Sequence, residues 1–260
     1  MPSELSKLWF SQASLSAWQS CPLKFKYRYI DGLYWPLTAG GKVSEHIELG
    51  RTFHLLAQRY FSGGMGALPP GEPLLATWLT RLQEFLPLSA NEDFLPEYEL
   101  RSAQEGLRLL AKYDLLVVGP GKVTIYDWKT DERPPESAFA VSPQTRLYLY
   151  LLTLTGYFAV EAENVQMVYW NPRFPREPLI VNYSVQQQEQ DGAWIRRLIN
   201  QIMSTAAFPA TNTEKNCRFC EYRPVCHGQG LEEVQEDLLD IDEVDWEQIQ
   251  EIALQGVNLA

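Results

Sequence analysis

The chain has 260 residues and a mass of 29.8 kDa, enough for one sizeable core with a small appendage. Its composition is 45% apolar, 12% aromatic and 21% charged, which excludes a disordered polymer. The formal net charge of -11 argues against a purely electrostatic, non-specific DNA binder, and no apolar run is long enough to cross a membrane as a helix.

The opening MPSELSKLWF lacks the basic start and apolar run of a signal peptide, so a cytoplasmic location with no membrane partner is expected. A first helix is predicted over Ser14 to Tyr29, with Pro22 kinking it or ending its first half. Lys24, Lys26 and Arg28 give that helix a basic side, beside Tyr34 and Trp35. A glycine-containing joint at Thr38 to Gly41 precedes a second helix over Ser44 to Tyr60. Ser62 to Gly71 reads as a loop and Leu74 to Phe85 as a third helix. The period then changes. Phe94 to Leu100, Leu107 to Val118 and Val123 to Trp128 read as strands, and Gly119-Pro120-Gly121 makes the last two antiparallel neighbours. A helix over Ser142 to Thr155 follows, then strands at Val165 to Trp170 and Leu179 to Tyr183, then a helix over Gln186 to Met203. The order implies an α/β fold whose core is a mixed sheet flanked by helices. Four segments are expected: an N-terminal helical region (1–36), a core (37–205), a cysteine segment (206–228) and an acidic tail (229–260). Ten acidic residues and no basic one lie between Leu231 and Glu251; without them 22 basic face 23 acidic residues, a net charge of -1. The acidity therefore belongs to the tail and leaves a local nucleic-acid contact open.

Asp127-Trp128-Lys129 ends the third strand. Side chains alternate along a strand, so Asp127 and Lys129 point to one face. Asp114 lies near the end of the preceding strand, within reach of Asp127 across the hairpin. Two close carboxylates repel unless a cation or proton lies between them, and a hard divalent ion accepts such oxygens. A lysine beside that ion suits hydrolysis of a phosphodiester, where both offset charge in the transition state.

In order along the chain, Gly50-Arg51-Thr52-Phe53-His54, Lys112-Tyr113-Asp114, Asp127-Trp128-Lys129-Thr130 and Gln144-Thr145-Arg146-Leu147-Tyr148 resemble the PD-(D/E)XK nuclease superfamily, especially its RecB-like and CRISPR-associated iron–sulfur exonuclease branch. The resemblance implies a restriction-endonuclease-like fold. It implies that His54, Asp114, Asp127 and the Trp128 carbonyl surround Mg2+ or Mn2+, and that Lys129 positions or activates the attacking water. It further implies that Gln144 and Tyr148 orient Lys129 or the phosphate, and that Arg51 or Arg146 contacts phosphates. Many relatives place an arginine after the first strand aspartate, whereas Leu115 stands here.

The four cysteines are Cys21 and, 196 positions later, a C-x2-C-x5-C run of Cys217, Cys220 and Cys226. In a cytoplasmic chain such a set holds zinc or a [4Fe-4S] cluster rather than disulfides, and spacing alone does not separate the two. The resemblance favours [4Fe-4S] over zinc, joining both ends of the chain around the core. It implies a metal-dependent DNA exonuclease acting on single strands or duplex ends, in repair, recombination or CRISPR adaptation, with a helicase or adaptation partner. A non-catalytic DNA-binding scaffold and an RNA nuclease are the competing readings. No complete phosphate-binding loop occurs, so no ATP motor is expected within the chain.

Overall fold

The computed structural model describes residues 5–33, 45–64, 72–218 and 220–228. The Thr38 to Gly41 joint, Tyr34, Trp35 and the acidic tail lie outside the described residues. Helix α1 (Gln12–Ser20) starts at a reciprocal cap, in which the Ser11 and Ser14 side chains each bond the other's backbone N–H. It does not run on to Tyr29. Cys21 is extended (φ -164°, ψ 115°) because Pro22 disfavours a helical residue before it. A short helix α2 (Pro22–Phe25) restarts there and passes into a π-turn over Lys26–Ile30. Helices α3 (Glu45–Phe61) and α4 (Pro73–Phe85) precede the sheet.

Five strands follow in spatial order: β1 (Asp93–Ser102), β2 (Leu109–Gly119), β3 (Lys122–Trp128), β4 (Val165–Trp170) and β5 (Leu179–Asn182). β1, β2 and β3 are antiparallel, β3 and β4 parallel, and β4 and β5 antiparallel. The sheet is therefore mixed, as the order of elements predicts. Gly121, with φ +69°, closes the β2–β3 turn at a conformation that favours glycine. The parallel crossover from β3 to β4 carries α5 (Pro143–Leu154), capped by the Ser142 side chain. The long α6 (Val185–Ser204) starts at a Ser184 cap; of two short helices, α7 (Glu214–Arg218) bears Cys217 and α8 (Arg223–His227) bears Cys226, with Cys220 between them.

Two apolar clusters complete a three-layer arrangement. One gathers Leu15 and Phe25 from the N-terminal helices, Leu147 and Leu151 from α5, and Ile195 and Ile199 from α6 against Leu109, Tyr113, Ile125 and Met167 of the sheet. The other gathers Phe53, Leu56 and Phe61 from α3 and Trp78 and Leu82 from α4 against Leu115, Val117, Trp128 and Trp170. Strand alternation breaks midway along β2. Ala111 and Tyr113 share the first cluster with Leu116, whereas Leu115 and Val117 join the second. At the same level of β1, between the pairs Pro96–Leu115 and Tyr98–Tyr113, Glu97 takes φ +51°. A non-glycine residue in that region is strained, and such strain gathers at functional sites.

Candidate active site

The distorted level of β1 and β2 holds Glu97 and Asp114. Asp114 stands in the middle of β2 rather than near its end, but just beyond Leu115–Tyr126, where the β2–β3 pairing stops. Its Oδ2 accepts the Trp128 N–H at 2.8 Å, which fixes the end of β3 beside it. Helix α3 presses Phe53, Leu56 and Ala57 into the core, and His54 meets the strand ends from that helix. His54 Nδ1 lies 3.4 Å from Asp114 Oδ1, and Nε2 lies 3.1 Å from the Trp128 carbonyl oxygen. Burial alone lowers the His54 pKa, but Asp114, with weaker help from Asp127 and Glu97, raises it from 6.5 to about 9. Burial disfavours the Asp114 carboxylate, yet His54, the Trp128 N–H and Lys129 together hold its pKa below the usual value.

His54, Glu97 and Asp114 each offer a ligand atom within 4.8 Å of the others. Glu97 also pairs with Lys112 Nζ at 2.8 Å. This donor set suits a hard divalent cation: one imidazole, carboxylates and a backbone carbonyl. Neighbouring ligands of an octahedral Mg2+ lie about 3 Å apart, close to the 3.1 Å between His54 Nε2 and the Trp128 carbonyl.

Asp127 occupies a different part of the centre. Lys129 Nζ sits 2.8 Å from Asp127 Oδ1, as their shared strand face predicts, and Gln144 Nε2 donates to Asp127 Oδ2 at 2.7 Å. Both Asp127 (4% exposed) and Lys129 (3% exposed) are withdrawn from water. The Lys129 ammonium stands 5.3 Å from the Phe139 ring centre and 5.2 Å from that of Tyr169. Gln144 thus holds the carboxylate, and the Tyr169 hydroxyl holds Gln144 by donating to its Oε1 at 3.3 Å. Tyr148 is buried one turn further along α5, its ring edge-on to Tyr113 at 4.9 Å. Arg146 turns elsewhere: its Nε donates to buried Asp191 at 2.6 Å and its guanidinium covers Trp194 at 4.1 Å. Arg51 is exposed on α3.

Sequence reasoning missed Glu97, Phe139 and Tyr169. Tyr169 pairs with Asp127 in the parallel β3–β4 register. Glu97 falls between two β1–β2 pairs that bring it to the level of Asp114. The signal for both is strand register, which a short motif does not carry.

All four cysteines line one cavity with Lys24, Thr211 and Tyr222. The Thr211 N–H donates to Cys21 Sγ at 3.4 Å, and the Asn216 side-chain amide donates to the Ser20 carbonyl at 2.7 Å. Burial, then Glu221, pushes the Cys220 thiol up to about 11; burial, then Cys21 and Cys217, raises that of Cys226. Four thiolates at this place therefore need a cationic centre between them. Among the described residues no three of the sulfurs lie within 4.8 Å of one another, since the only three-residue set at that spacing is His54, Glu97 and Asp114. The donor set fits a metal centre.

The model of the PD-(D/E)XK nuclease superfamily matches residues 9–227. Among solved structures, the chain is similar to a proposed exonuclease from Eubacterium rectale, with a TM-score of 0.51 and 11% identity over 78% of this chain and 84% of that one. It also matches the structure of SSO0001, with a TM-score of 0.43 and 17% identity over 86% of this chain and 88% of that one. No curated protein matches by sequence. With the matched span covering the sheet, the strand-end centre and all four cysteines, the chain belongs to the PD-(D/E)XK nuclease superfamily.

Proposed function

We propose that the chain is a metal-dependent DNA exonuclease that hydrolyses single strands or duplex ends, within the RecB-like and CRISPR-associated iron–sulfur branch of its superfamily. The observation that carries this reading is the buried Asp127–Lys129 pair, set beside the His54, Asp114 and Trp128 carbonyl group. In this reading His54, Asp114, Asp127 and the Trp128 carbonyl hold Mg2+ or Mn2+, with Glu97 next to them. The bound cation supplies Lewis-acid stabilisation of phosphate charge and eases ionisation of water. Lys129, aimed by Asp127 and walled by Phe139 and Tyr169, presents a positive charge to the phosphate and orients the water. Gln144 keeps Asp127 in place from α5, and Tyr148 supports the same helix face. Water attacks phosphorus, and a sugar oxygen leaves with the proton.

Cys21, Cys217, Cys220 and Cys226, which line one cavity, hold a [4Fe-4S] cluster in this proposal, with zinc as the alternative. The cluster is structural. It clips the N-terminal region (1–36) to the cysteine segment (206–228) around the core (37–205). A cytoplasmic role in repair, recombination or CRISPR adaptation, alongside a helicase or adaptation partner, follows from the branch.

The test is side-by-side digestion of matched DNA and RNA strands, labelled at either end, by anaerobically purified protein with Mn2+ or Mg2+. Stepwise shortening of DNA that is lost in Asp127→Ala is expected. Cutting of RNA alone overturns the DNA assignment. Binding without cutting, by a folded and metal-loaded parent, favours a scaffold subunit. A broad visible absorption band with iron near four per chain supports the cluster; one zinc per chain and no such band refutes it.

A further inference from the structure

A second basic feature lies outside the strand-end centre. An open cleft of about 580 Å³ is formed between α4 and the loop after β4. Arg81 lines it from the helix, and Arg173, Phe174 and Arg176 line it from the loop. Glu84 and Glu177 also border it, so the arginines exceed the carboxylates there by one. Arg81 Nη1 donates to the Pro172 carbonyl at 2.7 Å, and Arg173 Nε donates to the Thr130 carbonyl at 3.1 Å. The Arg173 guanidinium also lies 4.9 Å from the Trp78 ring centre. These bonds hold two guanidiniums in place while using one of the five N–H donors of each. Among the described residues, none of the three arginines has a carboxylate within 4.0 Å. Arg176 is exposed.

The cleft is fastened to the catalytic strand. Thr130, which accepts from Arg173, directly follows Lys129. The buried Asn171 amide donates to the carbonyls of Asp131 and Arg133 at 2.9 and 3.1 Å, tying the loop to the segment that leaves β3. Fixed guanidiniums with spare N–H donors, and an aromatic ring, in one open groove are the features that hold a single strand: charge follows the backbone, and the ring stacks on an unpaired base. A base inside a duplex is already stacked and does not reach such a ring.

We propose that this cleft binds the phosphodiester backbone of a single nucleic-acid strand next to the cleavage centre, through Arg81, Arg173 and Arg176, with Phe174 stacking on a base. This inference rests on the nuclease reading and adds the path of the strand to it. The strand passes from the end of β3 along the loop after β4, and Arg176 supplies a phosphate contact that chemistry at Lys129 does not require.

The test is fluorescence anisotropy of a labelled single strand of about 20 nucleotides, with no divalent cation added, across a series of salt concentrations. Hydrolysis of bis(p-nitrophenyl) phosphate with Mn2+ is measured in parallel, because that small diester reads the cleavage centre without needing the cleft. Arg176→Glu is expected to weaken strand binding about tenfold at low salt and to reduce the salt slope by about 0.7. Phe174→Ala weakens binding with the slope unchanged. Arg197→Glu, the same charge change at an exposed position of α6, shifts affinity less than about twofold. All three variants keep the parent rate on the small diester. Equal effects of Arg176→Glu and Arg197→Glu, or none from either, overturn the cleft while leaving the nuclease reading intact. A parent that neither binds strands nor hydrolyses the small diester removes both.

Discussion

An ammonium withdrawn from water is costly unless a carboxylate and aromatic faces replace its hydration. Lys129 meets that condition through Asp127, Phe139 and Tyr169, and Asp127 in turn is held by Gln144. Lys129 Nζ is thus a buried charge, held at the end of β3 by its carboxylate and aromatic neighbours. His54 carries a testable consequence. Its pKa is raised from 6.5 to about 9 in the metal-free protein, chiefly because the effect of Asp114 overcomes that of burial. The stabilisation from this charged pair is fully present below pH 6.5 and is lost as pH rises through about 9. Urea unfolding of metal-free protein between pH 6.5 and 9 should show a falling midpoint in the parent, and a smaller fall in His54→Asn. The same fall in both contradicts the assignment. The Asp127–Lys129 pair was legible in the sequence because period-two alternation fixes it locally. Glu97 and Tyr169 were not, because only the register of neighbouring strands brings them to the centre.

At the scale of elements, hydrophobic period and turn chemistry located every strand and the helices α3 to α6, but neither the division of the first helix nor the short α7 and α8. The exceptions have local causes. Pro22 divides the first predicted helix, leaving Cys21 extended at the junction where its thiol reaches the cysteine cavity. The left-handed Glu97 breaks the alternation of β1 and β2, so a simple odd–even reading of β2 misassigns Leu115 and Leu116 to faces. Helices α5 and α6 show how closely the layer behind the site is packed. A Cβ added at Gly192 would lie 2.6 Å from Tyr150 Cε2 and 3.1 Å from Arg196 Nη2. Gly192→Ala should therefore destabilise the fold by about 1–3 kcal/mol through overpacking, despite alanine's better helix propensity. Denaturant unfolding measures this. An unchanged or raised midpoint would show that α6 yields without cost.

At the scale of the whole molecule, the N-terminal helices meet the late cysteine segment. Glu221, 1% exposed, pairs with Lys24 at 3.2 Å and with Arg28 at 3.0 Å, and the Tyr222 hydroxyl donates to the Leu33 carbonyl. A single buried carboxylate thus joins the segment after Cys220 to the helix after Cys21. The four-cysteine spacing made this closure legible in the sequence, whereas Glu221 carried no motif. Breaking a buried pair from one side costs about 3–5 kcal/mol where the partner stays buried, and less here because both cations retain some water. Glu221→Gln is expected to lower both the melting temperature and the metal retained per chain at the cysteines, with metal content read by elemental analysis. Full metal content with an unchanged melting temperature would mean that the ends are held without this contact.

The proposed function places metal-dependent phosphodiester hydrolysis at the end of β3, beside Asp127 and Lys129. The most direct measurement is digestion of end-labelled single-stranded DNA by anaerobically purified protein, with Mn2+ or Mg2+ added, beside Asp127→Ala and Lys129→Ala. Metal-dependent shortening by the parent is expected, with a loss of about a hundredfold or more in both variants. Shortening that persists in both folded variants would place the chemistry elsewhere and contradict this assignment.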